Sequence, residues 1–200
     1  MFHPFLILPL VLLFSVLGNA ANAANEAHFP RIPSSVNSPD GRYRITYIFH
    51  SYDSHTLSFK KSKDRESKPF YSCGTDVDVL WSPDCKQFAV NDNMGSNVAS
   101  ALLFETSDLS KPLDLGEKLS KSLSPSRNLR SMAGNTHIYF NVLKWISPTK
   151  LEMVVTGKGN HSDPAGFTLI YQYDLVGGSF RCTQRLESVR EDLLYAGRHH

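Results

Sequence analysis

"VLWSPDCKQFAVND", residues 79–92, joins two apolar runs through a Ser-Pro-Asp turn. Val79, Leu80 and Trp81 lead in; Phe88, Ala89 and Val90 lead out. Proline presets φ at the second turn position, aspartate caps the turn through its side chain, and the next position takes positive φ, which glycine accepts. Cys85 occupies that position here. The stretch predicts a tight antiparallel hairpin in which either the cysteine takes a backbone conformation that side chains rarely adopt or the turn is of another type without positive φ.

The phrase recurs along the chain. Ser38-Pro39-Asp40-Gly41-Arg42 matches Ser82-Pro83-Asp84-Cys85-Lys86, 44 residues apart. A looser copy, Trp145-Ile146-Ser147-Pro148-Thr149-Lys150, shares the tryptophan and the Ser-Pro. Around these turns, alternating runs rich in β-branched and aromatic residues predict strands over 43–50, 55–60, 77–81, 86–92, 99–106, 137–145, 150–157 and 166–175. Gly, Pro, Asn, Asp and Ser sit between the runs, where turns belong. A repeat near 44 residues is in the range of four-stranded blades. The expected fold is therefore all-β and mainly antiparallel, built from stacked, blade-like meanders with tryptophan between sheets.

Three units follow, at about 37–76, 77–114 and 135–184, within a β domain spanning 37–184. Between the second and third, "LGEKLSKSLSPSRNLRSMAG" (115–134) is polar and serine-rich and reads as an insertion with one short helix. Residues 24–36 read as an N-terminal extension. At the other end, Leu186, Val189, Leu193 and Leu194 fall on one face, which predicts a C-terminal helix or tail over 185–200.

"WSPDCKQFAV" and "SPDGRYRITY" resemble the WSPDGK-type repeat of TolB-like β-propellers. The resemblance covers the turn and flanking strands of two units, and of a third loosely. It implies blades that serve as protein-binding platforms or as gating domains attached to peptidases. Three units are too few to close a ring of the usual size, so a partial or open propeller is expected.

Residues 5–18, "FLILPLVLLFSVLG", are apolar and uncharged, and Ala21-Asn22-Ala23 offers a small-x-small cleavage signal. This predicts a signal peptide over 1–23, hence export to the periplasm or beyond the cell, with no stable membrane span once the leader is removed. A formal charge of +2 argues against strong attraction to nucleic acid. The densest basic stretch, "KKSKDRESK" (60–68), is offset by Asp64 and Glu66 and reads as a solvated loop, with an anionic partner as the alternative. In an oxidising compartment, Cys73, Cys85 and Cys182 allow three pairings. The expected bridge is Cys73–Cys85, which closes a short loop and holds the strained turn, leaving Cys182 as a free thiol or a link between chains.

Chemistry is harder to find. GxSxG, HExxH, P-loop and dinucleotide fingerprints do not occur, and the cysteine–histidine spacing fits no zinc site. No catalytic set, metal or cofactor is expected. The binding candidates are polar loops: Asn91, Asp92, Asn93, Ser96 and Asn97 in "NDNMGSN", and His161 and Asp163 in "NHSDPAG". The leading function is a non-enzymatic exported module that binds a protein or envelope component through such loops and its sheet faces. Two alternatives stay open: a hydrolase drawing on Asp92, His137, His161 and Asp163, and a calcium- or carbohydrate-binding domain.

Overall fold

The computed structural model describes residues 26–29, 34–51, 54–74, 76–93, 98–123, 137–158 and 167–187. The expected leader lies outside them. Among the described residues, no helix is long and apolar enough to cross a membrane.

Thirteen strands and one helix make up the described fold. β2 (Ser35–Asn37), β3 (Tyr43–Ser51), β4 (Ser54–Lys61) and β5 (Lys68–Cys73) form a four-stranded antiparallel meander. β6 (Asp76–Trp81), β7 (Gln87–Asn93), β8 (Val98–Glu105) and β9 (Asp108–Asp114) form a second. β10 (His137–Ser147), β11 (Lys150–Lys158), β12 (Phe167–Asp174) and β13 (Ser179–Glu187) form a third. The second and third join edge to edge through a parallel contact, Ile138 opposite Val98 and Tyr139 opposite Ala99. β1 (Glu26–Phe29) adds to β6, completing a nine-stranded sheet that stays open, with β1 and β13 at its ends. The all-β, open, mainly antiparallel architecture holds.

The strands β6–β8 form the middle layer, and alternation explains why. Val77, Val79, Trp81, Phe88, Val90 and Phe104 face the first meander, packing with Phe29, Ile45, Leu57 and Phe59. Leu80, Ala89, Ala101 and Leu103 face the other way, onto Leu151, Met153, Val155, Leu169 and Tyr171 of the third meander. A strand buried on both faces reads as a near-continuous apolar run, as "VDVLW" and "QFAV" do. The first core is aromatic: Phe88 stacks on Phe104 with ring centroids 5.3 Å apart, and Trp81 lies 4.9 Å from Phe88. Each such fully buried side chain stabilises the fold by about 1.5–3 kcal/mol relative to exposure.

The two tryptophans part company. Trp81 is 1 % exposed between the sheets. Trp145 packs only partly buried against the second core, and its indole N–H donates to the Leu80 carbonyl at 3.0 Å. In that second core, Gly157 pairs with Phe167, and a Cβ there would fall 2.2 Å from the Phe167 ring, so only glycine lets the ring lie across the strand.

The repeated turns are the same object twice. Ser38 and Ser82 each place their hydroxyl against the Asp two residues on, at 2.7 and 2.9 Å. Each hydroxyl oxygen accepts a backbone N–H five residues on, from Tyr43 and Gln87, both at 3.0 Å. Gly41 has φ +70° and Cys85 φ +59°. The third copy departs from this: Ser147 pairs directly with Lys150, making a tight two-residue hairpin around Pro148 and Thr149.

The expected disulfide is corrected. Cys73 and Cys85 are both buried free thiols. Cys73 ends β5, while Cys85 lies beyond the far end of β6. Six extended residues hold them roughly 20 Å apart, and a disulfide tolerates about 7 Å between Cα atoms. Cys85 instead meets the neighbouring turn. Its sulfur accepts from the Asp40 backbone N–H, and its thiol bonds the Asp40 carboxylate.

Helix α1 (Leu115–Ser122) starts the predicted insertion. The Asp114 carboxylate caps it by accepting the Glu117 N–H at 2.8 Å, and Leu115 and Leu119 enter the second core. Two boundaries differ from expectation. The N-terminal extension contributes β1 and β2, because Phe29 and Val36 are needed to close the first core. β13 runs to Glu187, so Arg185–Glu187 are strand, not helix; the remainder of 185–200 lies outside the described residues.

Candidate functional site

The end of the stacked sheets away from the Ser-Pro-Asp turns gathers one cluster of buried and half-buried polar residues. β4, β5 and β7 bring Tyr71, Cys73, His55 and Asp92 there, and β3 adds Tyr47. Register places His55 beside Cys73, Leu57 beside Tyr71, and Asp92 between Val77 and Ser100.

Asp92 is 0 % exposed. Tyr71 donates its hydroxyl to Asp92 Oδ2 at 2.6 Å, while Oδ1 has no hydrogen-bond partner among the described residues. Burial pushes the Asp92 carboxyl above the usual range, only partly offset by the Tyr71 bond. Burial and the Asp92 charge push the Cys73 thiol up to about 12. Burial, then the Asp92 hydrogen bond and charge, raise Tyr71; burial, then Cys73 and Asp76, raise Tyr47. The Tyr47 hydroxyl is also without a partner among the described residues. The His55 ring lies 5.2 Å from both Tyr47 and Phe49. Phe49, at 64 % exposed, forms the rim.

This chemistry is quiet. A thiol held near 12 is protonated at neutral pH and is a poor nucleophile. The Asp92 carboxyl, pushed upward by burial, is sealed from solvent. Among the described residues, no group of three or more His, Cys, Asp or Glu is arranged to hold a metal ion.

The loop residues singled out from sequence divide into three groups. Asn91 is 3 % exposed, and its side chain acts as a piece of strand: its amide donates to the Val142 carbonyl at 2.9 Å and its oxygen accepts the Val142 N–H at 2.7 Å. Asp92 belongs to the buried cluster, and Asn93 is half-buried at the end of β7, opposite Asp76. All three lie on β7: Asn91 and Asp92 within the strand predicted over 86–92, and Asn93 one residue past it, because the pairing with β6 continues that far. Ser96, Asn97, His161 and Asp163 lie outside the described residues. His137 opens β10 opposite Lys158; its side chain falls outside them as well.

Sequence reasoning overlooked Tyr47, His55 and Tyr71 as one group. Tyr47 shares the parity of Ile45, and His55 that of Leu57 and Phe59, so their inward direction was readable. Their meeting with Asp92 was not, since it depends on how two sheets stack.

A second feature lies on β10. Two bulges interrupt its ladder with β11, and the residues left out of register are Leu143 and Ile146. They are 42 % and 45 % exposed. Past Tyr139, β10 has left β8, and the Asn91 side chain bonds its Val142 backbone from that side.

Comparison with protein-family models and with curated proteins found no match for this sequence.

Proposed function

We propose that this protein is an exported, non-enzymatic β module that binds a protein or an envelope component through its sheet faces and loops, in the periplasm or outside the cell. One observation carries the reading: the two bulges of β10 turn large aliphatic side chains, Leu143 and Ile146, outward on a strand that has left its neighbour. Bulges re-aim side chains, and exposed apolar residues on such a strand suit contact with a partner. The titratable residues Asp92 and Cys73, in contrast, are sealed from solvent, and burial pushes both above their ordinary range. The likeness of "WSPDCKQFAV" to TolB-like repeats, which implies a binding platform, supports the same reading.

The test compares the mature protein with a Leu143→Glu/Ile146→Glu variant whose fold is checked by circular dichroism. Both are used to capture components from a solubilised envelope fraction. Specific capture by the first and its loss in the second supports the proposal. Equal capture by both overturns it, as does turnover of ester, peptide or glycoside substrates that a single polar substitution abolishes.

A further inference from the structure

The outward face of the first meander carries a pair of cations that the fold itself does not neutralise. Arg44 on β3 and Lys60 on β4 are direct cross-strand partners. Both project away from the core, since their neighbours Ile45 and Phe59 are buried on the opposite face. Like charges placed directly opposite one another destabilise a sheet. Among the described residues, neither lies within ion-pair distance of a carboxylate. The nearby Asp40 is already engaged by Arg42, Ser38 and Cys85.

Hydrogen bonds aim the two cations without cancelling them. Arg44 Nε donates to Asn37 Oδ1 at 2.9 Å, which leaves the terminal guanidinium nitrogens available. Lys60 Nζ donates to the Arg65 carbonyl at 3.0 Å, using one of its three hydrogens. The two side chains line a concavity of about 240 Å³ whose other walls include Asn37, Tyr43 and Ser62 and no acidic residue. That volume is below what a drug-sized ligand fills and suits a small anion.

We infer that the Arg44–Lys60 concavity is a binding site for a tetrahedral oxyanion, a phosphate or sulfate group either free or esterified to a larger molecule. The guanidinium offers a fork of N–H donors and the ammonium a point charge, the pairing that planar and compact contacts to such an anion use. This site is on a different sheet from β10 and stands independently of the partner-binding proposal.

The experiment follows thermal unfolding of the mature protein at fixed ionic strength, with chloride replaced by inorganic phosphate, sulfate or glycerol phosphate. Phosphate or sulfate is expected to raise Tm by about 2–4 °C at saturating concentration, through preferential binding to the folded state. Arg44→Gln and Lys60→Gln are each expected to weaken that binding by roughly tenfold. Lys60→Gln should also raise Tm slightly in chloride, since it removes the opposed charges, so that wild type and variant cross over as phosphate is added. A stronger response to glycerol phosphate assigns an esterified group, and an equal one assigns the free anion. The inference fails if no oxyanion exceeds chloride, or if Lys63→Gln, on the exposed loop, weakens the response as much as Arg44→Gln, which would mark diffuse charge without a site.

Discussion

At the turn end of the sheets, the Asp40 and Asp84 side chains are 31 % and 29 % exposed and sit among donors; at the opposite end, Asp92 has one donor and no solvent. Asp40 takes bonds from the Ser38 hydroxyl, the Arg42 backbone and the Cys85 thiol. Slight burial pushes its carboxyl up, but those donors and the Arg42 guanidinium outweigh it and hold the group at about 2. Burial drives Asp92 the other way. A carboxylate satisfied by its own turn serves as a structural pin, whereas one sealed in the core with a spare oxygen imposes a penalty that the surrounding packing must offset.

The largest effect should come from removing the single donor at the sealed end. Tyr71→Phe should cost about 2–3 kcal/mol at pH 7, because it leaves a buried charged acceptor unpaired. Urea unfolding should show the loss shrinking in acid, where a protonated Asp92 depends less on that donor. At the turn end, Ser82→Ala should cost about 1–2 kcal/mol, since the buried hydroxyl ties Asp84 to the Gln87 backbone. Ser38→Ala should cost no more, and a larger loss there would break the equivalence of the two turns.

Smaller again is the backbone term. No atom lies within 4 Å of a Cβ built on Gly41, so Gly41→Ala should cost about 1 kcal/mol through positive φ alone. By the same reasoning Cys85→Gly should be less destabilised than Cys85→Ala, as it loses the thiol contact but sheds the strain. If both cysteine variants unfold at the same urea concentration, the φ of Cys85 carries no strain.

The subtlest test uses pH, where the two ends should pull in opposite directions. The folded-state pKa of Asp92 is above its unfolded value, so its contribution is full below about pH 4 and is lost as pH rises through the folded value. The folded-state pKa of Asp40 is depressed, so its contribution is present above about pH 4 and is lost as pH falls towards 2. Asp92→Asn should flatten the first dependence and Asp40→Asn the second, read as urea midpoints at pH 7, 4.5 and 2.5. Glu26, raised by burial and by Asp78, adds to the Asp92 side; Asp108 and Asp174, lowered, add to the Asp40 side.

Strands and turns were legible in the sequence because their causes are local. Alternation in "YRITYIFH" and turn chemistry in "SPDG" and "SPDC" depend on residues a few positions apart. The disulfide misreading had a local remedy as well: "VDVLW" between Cys73 and Cys85 was already recognised as a strand, and a strand separates what flanks it. The edges of the fold were less legible. Phe29 looked like an extension because its partner, Tyr47, is on the other sheet; Val36 pairs with Ile45 in the β2–β3 hairpin, a local partner that sequence reasoning passed over. Asn91 and Asp92 looked like loop ligands because polar residues in a strand interior signal a turn unless something distant satisfies them. For Asn91 that something is Val142, 51 residues on; for Asp92 it is Tyr71, 21 residues back.

The join between β8 and β10 bears on how the protein yields under load. Two rungs of parallel ladder, the Asn91 amide and the Trp145 indole fasten the third meander to the rest along a narrow seam. Among the described residues few hydrogen bonds cross that seam, so tension applied there is carried mainly by the apolar core shared by the second and third meanders.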